Sequence, residues 1–263
     1  MNLGGRTALV TGASGGLGQA IARALARRGA SVVLTARRAE VLEPLAAETG
    51  GRALTCDLSD RASVERLVSD AGPVDVLVAN AAIPGSGPID SFTVEEIDRA
   101  IEVNLRAPMV LARRMCEGMA ERGGGQIVFV SSLSGKAGTA GSSIYAATKF
   151  GLRGFAQGLR EDLRPRGVGV STVFPSFIRD AGMFHESGGK LPGYIGTKTP
   201  EDVAGAVIAA IERDRSEIDV APLALRLGTA FAGLAPEVAA IVQRKLGADK
   251  VAASISGGQG EKR

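Results

Sequence analysis

The sequence predicts one α/β domain built on a doubly wound parallel sheet with helices on both faces. Three observations predict it. Short apolar strand candidates alternate with helix candidates from Thr7 to Val220, the pattern of repeated βαβ units. A glycine-rich turn, Gly12-Ala13-Ser14-Gly15-Gly16-Leu17-Gly18, joins the first strand to the first helix. The chain has 263 residues, 45% of them hydrophobic, which suits one large core, and no clear linker divides it.

The elements follow in order. Thr7–Thr11 is a short apolar strand, and 17–28 an amphipathic helix with Ile21, Leu25 and the alanines inward. Ser31–Ala36 is the second strand and 39–48 the second helix. Arg52–Thr55, a helix over 62–70 and a strand over 74–79 repeat the unit. Residues 94–121 read as one long helix that Pro108 is expected to bend. A strand over 126–131, a helix over Ser143–Leu163, a strand over 168–174, a helix over 201–212 and a last strand Glu217–Val220 complete the alternation. Right-handed crossovers between such strands wind the sheet both ways from its first strand. Residues 1–253 are expected to form the single domain, with 221–253 as a C-terminal extension. Within it, 179–199 is Gly-rich and irregular, long for a loop, and carries Met183, Phe184, Leu191, Tyr194 and Ile195. The Gly-rich polar end, 254–263, is expected to be disordered.

Composition narrows the function. A net charge of +3 with no long basic run argues against nucleic acid. A single histidine, His185, argues against a His/Cys zinc site or a Ser-His-Asp triad, and reads as a surface loop residue; no metal is expected. Cys56 and Cys116 give no disulfide framework and read as reduced core thiols of a cytoplasmic protein. No apolar run reaches membrane-spanning length, and Met1 leads into a strand without a signal peptide.

Two motifs carry chemistry. The glycines of the first turn let the backbone approach a pyrophosphate, which the N-terminus of the following helix attracts with its free amides and dipole. Tyr145 and Lys149, four residues apart on one helix, share a face. An ammonium beside a phenol favours phenolate, so the Tyr145 pKa is expected to fall toward neutral, as suits proton exchange with an alcohol or carbonyl oxygen. The end of the second strand, Thr35-Ala36-Arg37-Arg38, has no carboxylate before Glu40. An acidic side chain there would bind a ribose 2′-hydroxyl, whereas a guanidinium can pair with a 2′-phosphate. NADP(H) is therefore expected over NAD(H), with Arg37 leading and Arg38 second.

These residues resemble the short-chain dehydrogenase/reductase family, in its short single-domain branch. Thr11, Gly12, Gly16 and Gly18 match its Thr-Gly-x-x-x-Gly-x-Gly loop, although Gly15 also fits the loop of the longer, sugar-nucleotide branch. Asp57-Leu58 resembles its adenine-contacting pair, and Asn80-Ala81-Ala82 its Asn-Ala-Gly. Asn104 matches its helix asparagine, and Ser132 precedes Tyr145 by the usual thirteen residues. The resemblance spans about Thr7 to Val220 and implies a Rossmann-like fold. It also implies a catalytic set of Asn104, Ser132, Tyr145 and Lys149. Tyr145 would act as general acid, Ser132 would hold the reacting oxygen, and Lys149 would bind the nicotinamide ribose. Asn104 would bend its helix and hold a water linking Lys149 to solvent. Cofactor contacts would come from Gly12, Ser14, Gly15, Gly16, Leu17, Gly18, Arg37, Arg38, Asp57, Leu58, Asn80, Ala81, Ala82, Tyr145, Lys149, Pro175, Ser176 and Ile178. Three positions depart from the family: Ser176 and Ala82 replace glycines, and Asp180 stands where a threonine is common.

The expected substrate is an apolar ketone, aldehyde or secondary alcohol. It would lie over Ser132 and Tyr145, under the 179–199 segment as a mobile lid, with Ile83, Pro84 and Leu133 as apolar wall. The resemblance implies a homodimer or homotetramer through the two long helices. Apolar stretches of the extension, such as Leu223 to Leu234 and Val238 to Leu246, suit edge packing, a subunit interface or peripheral membrane contact. The alternatives are an NAD(H)-dependent alcohol dehydrogenase of the same fold, a non-catalytic NADP(H)-sensing protein, and a sugar-nucleotide epimerase of the long branch. The short C-terminal region leaves little room for the last.

Overall fold

Seven parallel strands form one sheet in the order β3-β2-β1-β4-β5-β6-β7. The computed structural model describes residues 1–189, 191–193 and 195–245. Lys190, Tyr194 and residues 246–263, among them Leu246 and the expected disordered end, lie outside the described residues. The strands are β1 (Thr7–Thr11), β2 (Ser31–Ala36), β3 (Arg52–Thr55), β4 (Val76–Ala79), β5 (Gly125–Val130), β6 (Val168–Pro175) and β7 (Glu217–Val220). Leu9 of β1 pairs with Val33 on one side and Leu77 on the other. Both neighbours of β1 are thus filled, and the chain reverses its direction of winding between β3 and β4.

Helices α1 (Gly16–Arg27), α2 (Ala39–Thr49), α3 (Arg61–Ala71), α4 (Val94–Ile101), α5 (Ala107–Glu121) and α6 (Ser143–Leu163) follow the strands. A short α7 (Gly182–Ser187) precedes α8 (Pro200–Arg213), and α9 (Leu223–Leu234) and α10 (Pro236–Lys245) end the described chain. The sheet separates two apolar layers. Ala8, Val10, Val76, Val78, Val128 and Val130 join one with Ile21, Leu25 and Val207 of α1 and α8. Leu9, Leu77, Ile127 and Phe129 join the other with Leu111 and Leu152 of α5 and α6. Alternate residues therefore serve opposite cores, which is why the strands read as continuous apolar runs. Emptying one position, as in Leu9→Ala, removes a fully buried side chain at a cost of about 3 kcal/mol.

Caps fix the helix starts. Asp60 accepts a hydrogen bond from the Ala62 N–H at α3, and Thr93 with Glu96 and Thr199 with Asp202 form capping boxes at α4 and α8. The long helix expected over 94–121 is interrupted, but not at Pro108. A π turn, Glu102–Arg106, separates α4 from α5, and Pro108 falls in the first turn of α5. Pro108 has no N–H to give the Asn104 carbonyl four residues before it, and the widened turn absorbs that loss. The 179–199 segment is not wholly irregular, since it contains α7, and the 221–253 segment carries two helices over its described residues. Among the described residues, no helix is long and apolar enough to cross a membrane.

Candidate active site

The loops after β1 and β4 meet where the strand order reverses, the place where open α/β sheets hold ligands. Thr11 joins them. Its hydroxyl accepts the N–H groups of Asn80 and Ala81, both at 3.0 Å, and Asn80 Nδ2 donates back to the Thr11 carbonyl at 2.9 Å. Gly12 has φ +67°, and a Cβ there would come within 2.8 Å of Ala81 Cα, so only glycine fits. Gly16 packs directly against Ala181, near the start of the 179–199 segment. Gly15 starts α1 with no side-chain cap, unlike α3, α4 and α8, and leaves its first amides to a ligand. Two buried hydroxyls, Thr35 Oγ1 in β2 and Ser176 Oγ just after β6, find no hydrogen-bond partner among the described residues. The open helix start, the glycine-lined approach and the orphan hydroxyls at strand ends fit a dinucleotide.

The two arginines after β2 diverge. Arg38 Nη2 reaches over the loop to Ser14, 3.3 Å from its Oγ and 3.4 Å from its carbonyl. Arg37 is exposed and acts on Asp57. Burial pushes the Asp57 carboxyl up. Hydrogen bonds from the Ser59 hydroxyl (2.6 Å) and N–H (2.9 Å), with the charges of Arg37 and Arg99, outweigh it and hold the group below the usual carboxylate range. Asp57 is thus tied to its own loop, and Leu58 beside it is buried.

Across the sheet, Ser132 follows β5 and caps a 3₁₀ turn, its Oγ accepting the Ser134 N–H at 3.1 Å. Ser132 faces the half-buried Tyr145 of α6, where its hydroxyl acts to lower the phenol's pKa. Lys149, one turn on, is 1% exposed and donates to the Val130 carbonyl at 3.2 Å. Its Nζ lies 5.5 Å from the Tyr145 ring centre. The structure therefore brings Ser132, Tyr145 and Lys149 together. It reverses the expected Tyr145 titration, however. Burial raises the phenol to about 12 against the lowering by Ser132, and burial lowers Lys149 to about 8. The reason is that both groups lose water, while the ammonium is bonded to a main-chain carbonyl instead of the phenol oxygen.

Asn104 is fully buried in the π turn. Its Oδ1 accepts the Ile83 N–H at 2.8 Å, and its Nδ2 donates to the Ile83 carbonyl at 2.9 Å. The side chain is thus committed to the loop after β4. Thr148 was not singled out by the sequence. Its hydroxyl sits between Asn104 Nδ2 (3.5 Å) and the Tyr145 carbonyl (2.8 Å), and a polar residue on the inner face of α6 was the available signal. Lys136 was missed as well. It clamps the Ser132 turn to β7 through Asp219 (2.6 Å) and Glu217 (2.9 Å), with Nζ 4.1 Å from the Phe174 ring centre.

Of the departures, Ser176 and Ala82 keep negative φ and cost no backbone strain. Asp180 takes φ +69°, a conformation aspartate tolerates better than most residues. Ile178 is buried and bridges to Lys198, and Phe177 and Arg179 also pair with Lys198 through the backbone. Both ends of the 179–199 segment are thereby pinned together. Phe184 of α7 stacks edge-on against Phe177 at 5.2 Å, and His185 is exposed. Ile83, Pro84 and Leu133 are buried. Ile83 joins the α5–α6 core, and Leu133 packs with Phe174 and Ala221. Cys56 and Cys116 are buried and unpaired. Among the described residues, no group of three His, Cys, Asp or Glu could hold a metal.

A profile of the family described as short chain dehydrogenase matches residues 6–191. The chain is 38% identical over 228 residues to the ketoacyl reductase HetN of Nostoc sp., covering 83% of this chain and 79% of that one. It is 37% identical over 184 residues to the 3-oxoacyl-[acyl-carrier-protein] reductase FabG of Escherichia coli, covering 68% and 75%. A solved short-chain dehydrogenase from Sphingobium yanoikuyae in complex with NADPH superposes with a TM-score of 0.76 at 32% identity, covering 88% of this chain and 96% of the other.

Proposed function

We propose, from the premise that this chain belongs to the short-chain dehydrogenase family, that it reduces the carbonyl of an apolar ketone or aldehyde with NADPH. Membership makes it an oxidoreductase acting between alcohol and carbonyl groups with a nicotinamide cofactor. The finer reading rests on one observation: Tyr145 lies between the Ser132 hydroxyl and the buried Lys149, whose Nζ is 5.5 Å from the phenol ring centre.

When bound, the dinucleotide supplies a hydride to the carbonyl carbon. The Ser132 and Tyr145 hydroxyls can both donate to one substrate oxygen and stabilise the charge that builds there. Tyr145, with a pKa near 12, keeps its proton throughout the working pH range and gives it to the developing alkoxide as general acid. The Lys149 ammonium stabilises the phenolate left behind and, with a pKa near 8, can return the proton. In oxidation the same groups run backwards. The Asn104 carbonyl, which Pro108 cannot bond, is the natural seat for a water between Lys149 and solvent.

Gly12 and the open start of α1 would hold the pyrophosphate, Asn80 to Ala82 the near ribose, and Asp57 and Leu58 the adenine. Arg37 and Arg38 would take the 2′-phosphate, since no carboxylate lies between Thr35 and Glu40 to repel it. The half-buried Met183, Phe184, Leu191 and Ile195 of the lid favour an apolar substrate. The relatives' ketoacyl names suggest a ketone borne on an acyl chain. A second copy would pack on the two long helices, where α6 exposes Phe150.

Titration with NADPH and NADH, followed by turnover of a panel of carbonyl compounds, tests the reading. The expected result is tighter NADPH binding that Arg37→Ala reduces about tenfold, with apolar ketones turned over fastest. Preference for NADH would replace it with NAD(H)-dependent alcohol oxidation. Binding without turnover of any carbonyl would favour a sensor.

A further inference from the structure

Large apolar side chains are exposed unevenly. Seven are exposed in α9 and α10, against four in all the described residues before them. Leu227, Phe231 and Leu234 follow at helical spacing on one face of α9, Leu234 with 87% of its surface open. Val238, Ile241 and Val242 do the same on α10. Inward contacts of the pair are slight: Leu225 touches the small cluster of Leu133, Phe174 and Ala221, and Ala239 is buried. A soluble surface rarely leaves so many large apolar side chains exposed on two neighbouring helices without a partner.

Charge points to the partner. Residues 1–220 carry 25 basic and 25 acidic side chains and are neutral. Residues 221–263 carry six basic and three acidic, so the entire net charge of +3 belongs to the segment that bears the apolar face. Arg226, Arg244 and Lys245 are exposed on the two helices themselves. We propose that the α9–α10 hairpin seats the enzyme on an anionic lipid bilayer, its apolar faces entering the headgroup boundary while the arginines and lysines meet the phosphates. A second copy of this chain would bring positive charge against positive charge, and a neutral apolar groove would leave the basic excess unused. Such a seat would also place the site near apolar, membrane-dissolved carbonyl compounds.

The test is flotation of the full chain with phosphatidylcholine vesicles, with and without phosphatidylserine. The expected result is flotation with the phosphatidylserine vesicles, weakening as salt is raised. The double variant Leu227→Gln/Phe231→Gln should cut the bound fraction about tenfold or more while NADPH affinity in solution stays unchanged. Arg244→Ala/Lys245→Ala should weaken binding less and flatten the salt dependence. Absence of flotation with phosphatidylserine vesicles, or flotation that the apolar variant does not alter, would overturn the proposal. So would a fall in the solution mass of that variant to a smaller oligomer, which would make the face an interface between copies.

Discussion

At Gly12 and Gly16 the loop after β1 lacks side chains just where a Cβ would strike Ala81 and Ala181. At Lys149, on the far side of the sheet's switch point, α6 instead buries an ammonium group against the Val130 carbonyl. The loop is shaped by what it omits, and its partner groups are main-chain amides whose position does not depend on protonation. The wall of Ser132, Tyr145 and Lys149 is shaped by side chains, of which Lys149 is held away from water at a cost in stability. Damage to the two should therefore separate. Changes at the loop should weaken cofactor binding, whereas changes at the wall should remove chemistry and in one case strengthen the fold.

The largest effect is expected at the wall. Tyr145→Phe removes the proton donor but little volume, and should lower turnover by about a thousandfold or more, with NADPH affinity changed less than about threefold. Steady-state rates and a fluorescence titration check the pair of outcomes; turnover near that of the parent protein would refute the mechanism. The mirror experiment is Gly16→Val. Its branched side chain has Ala181 in the way, so the lid base and the loop must part. NADPH affinity should fall about a hundredfold while thermal unfolding moves little. Equal loss of affinity and of stability would mean the loop is as much core as binding site.

These two regions also differ in how far they could be read from the chain. β1, β2, β3 and β7 fall on the residues expected, since each is a short segment closely bounded by neighbouring turns and helices. The Gly12–Gly18 loop was legible because a glycine pattern reports backbone geometry directly. Tyr145 and Lys149 were legible as a pair through helical spacing, but the direction of the Tyr145 titration was not. Spacing reports distance along a helix, whereas burial depends on groups such as Val130 and Gly85, which come from far along the chain. The π turn at Glu102–Arg106 was hidden for a related reason. Pro108 was visible, but the place where its missing N–H is absorbed is set by Asn104 bonding to the Ile83 backbone. Helices α9 and α10 carried apolar spacing without turn signals strong enough to bound them.

Lys149→Met sharpens the contrast further. An ammonium lowered from 10.5 to about 8 on folding binds its proton less tightly in the folded chain. Between pH 8 and 10.5 the unfolded chain therefore holds more protons, and stability rises with pH across that window. Below it the penalty is constant, about 3 kcal/mol by the shift alone. Methionine removes the penalty and also the bond to the Val130 carbonyl, so a net gain of about 2 kcal/mol is expected at pH 7, together with loss of turnover. Denaturant unfolding at pH 7 and 10 measures it: the variant should be the more stable at pH 7, with the gap closing toward pH 10. Tyr145 acts in the opposite sense only above pH 10, where the folded chain keeps a proton that the unfolded chain releases. A destabilised variant at pH 7 would show that the ammonium is welcome where it lies.

Arg38→Ala carries the smallest effect and probes the border between loop and charge. Its guanidinium is exposed and spans to Ser14 at 3.3 and 3.4 Å, so it either supplies charge to a 2′-phosphate or braces the loop. Exposed charges are screened, which limits the expected loss of NADPH affinity to about fivefold, shrinking as salt is raised. NADH affinity should not change, because its adenosine ribose carries no phosphate. The ratio of the two affinities at low and high salt decides the matter. If NADH weakens as much as NADPH and salt has no influence, Arg38 is a brace for Ser14, and the dinucleotide choice rests on Arg37 alone.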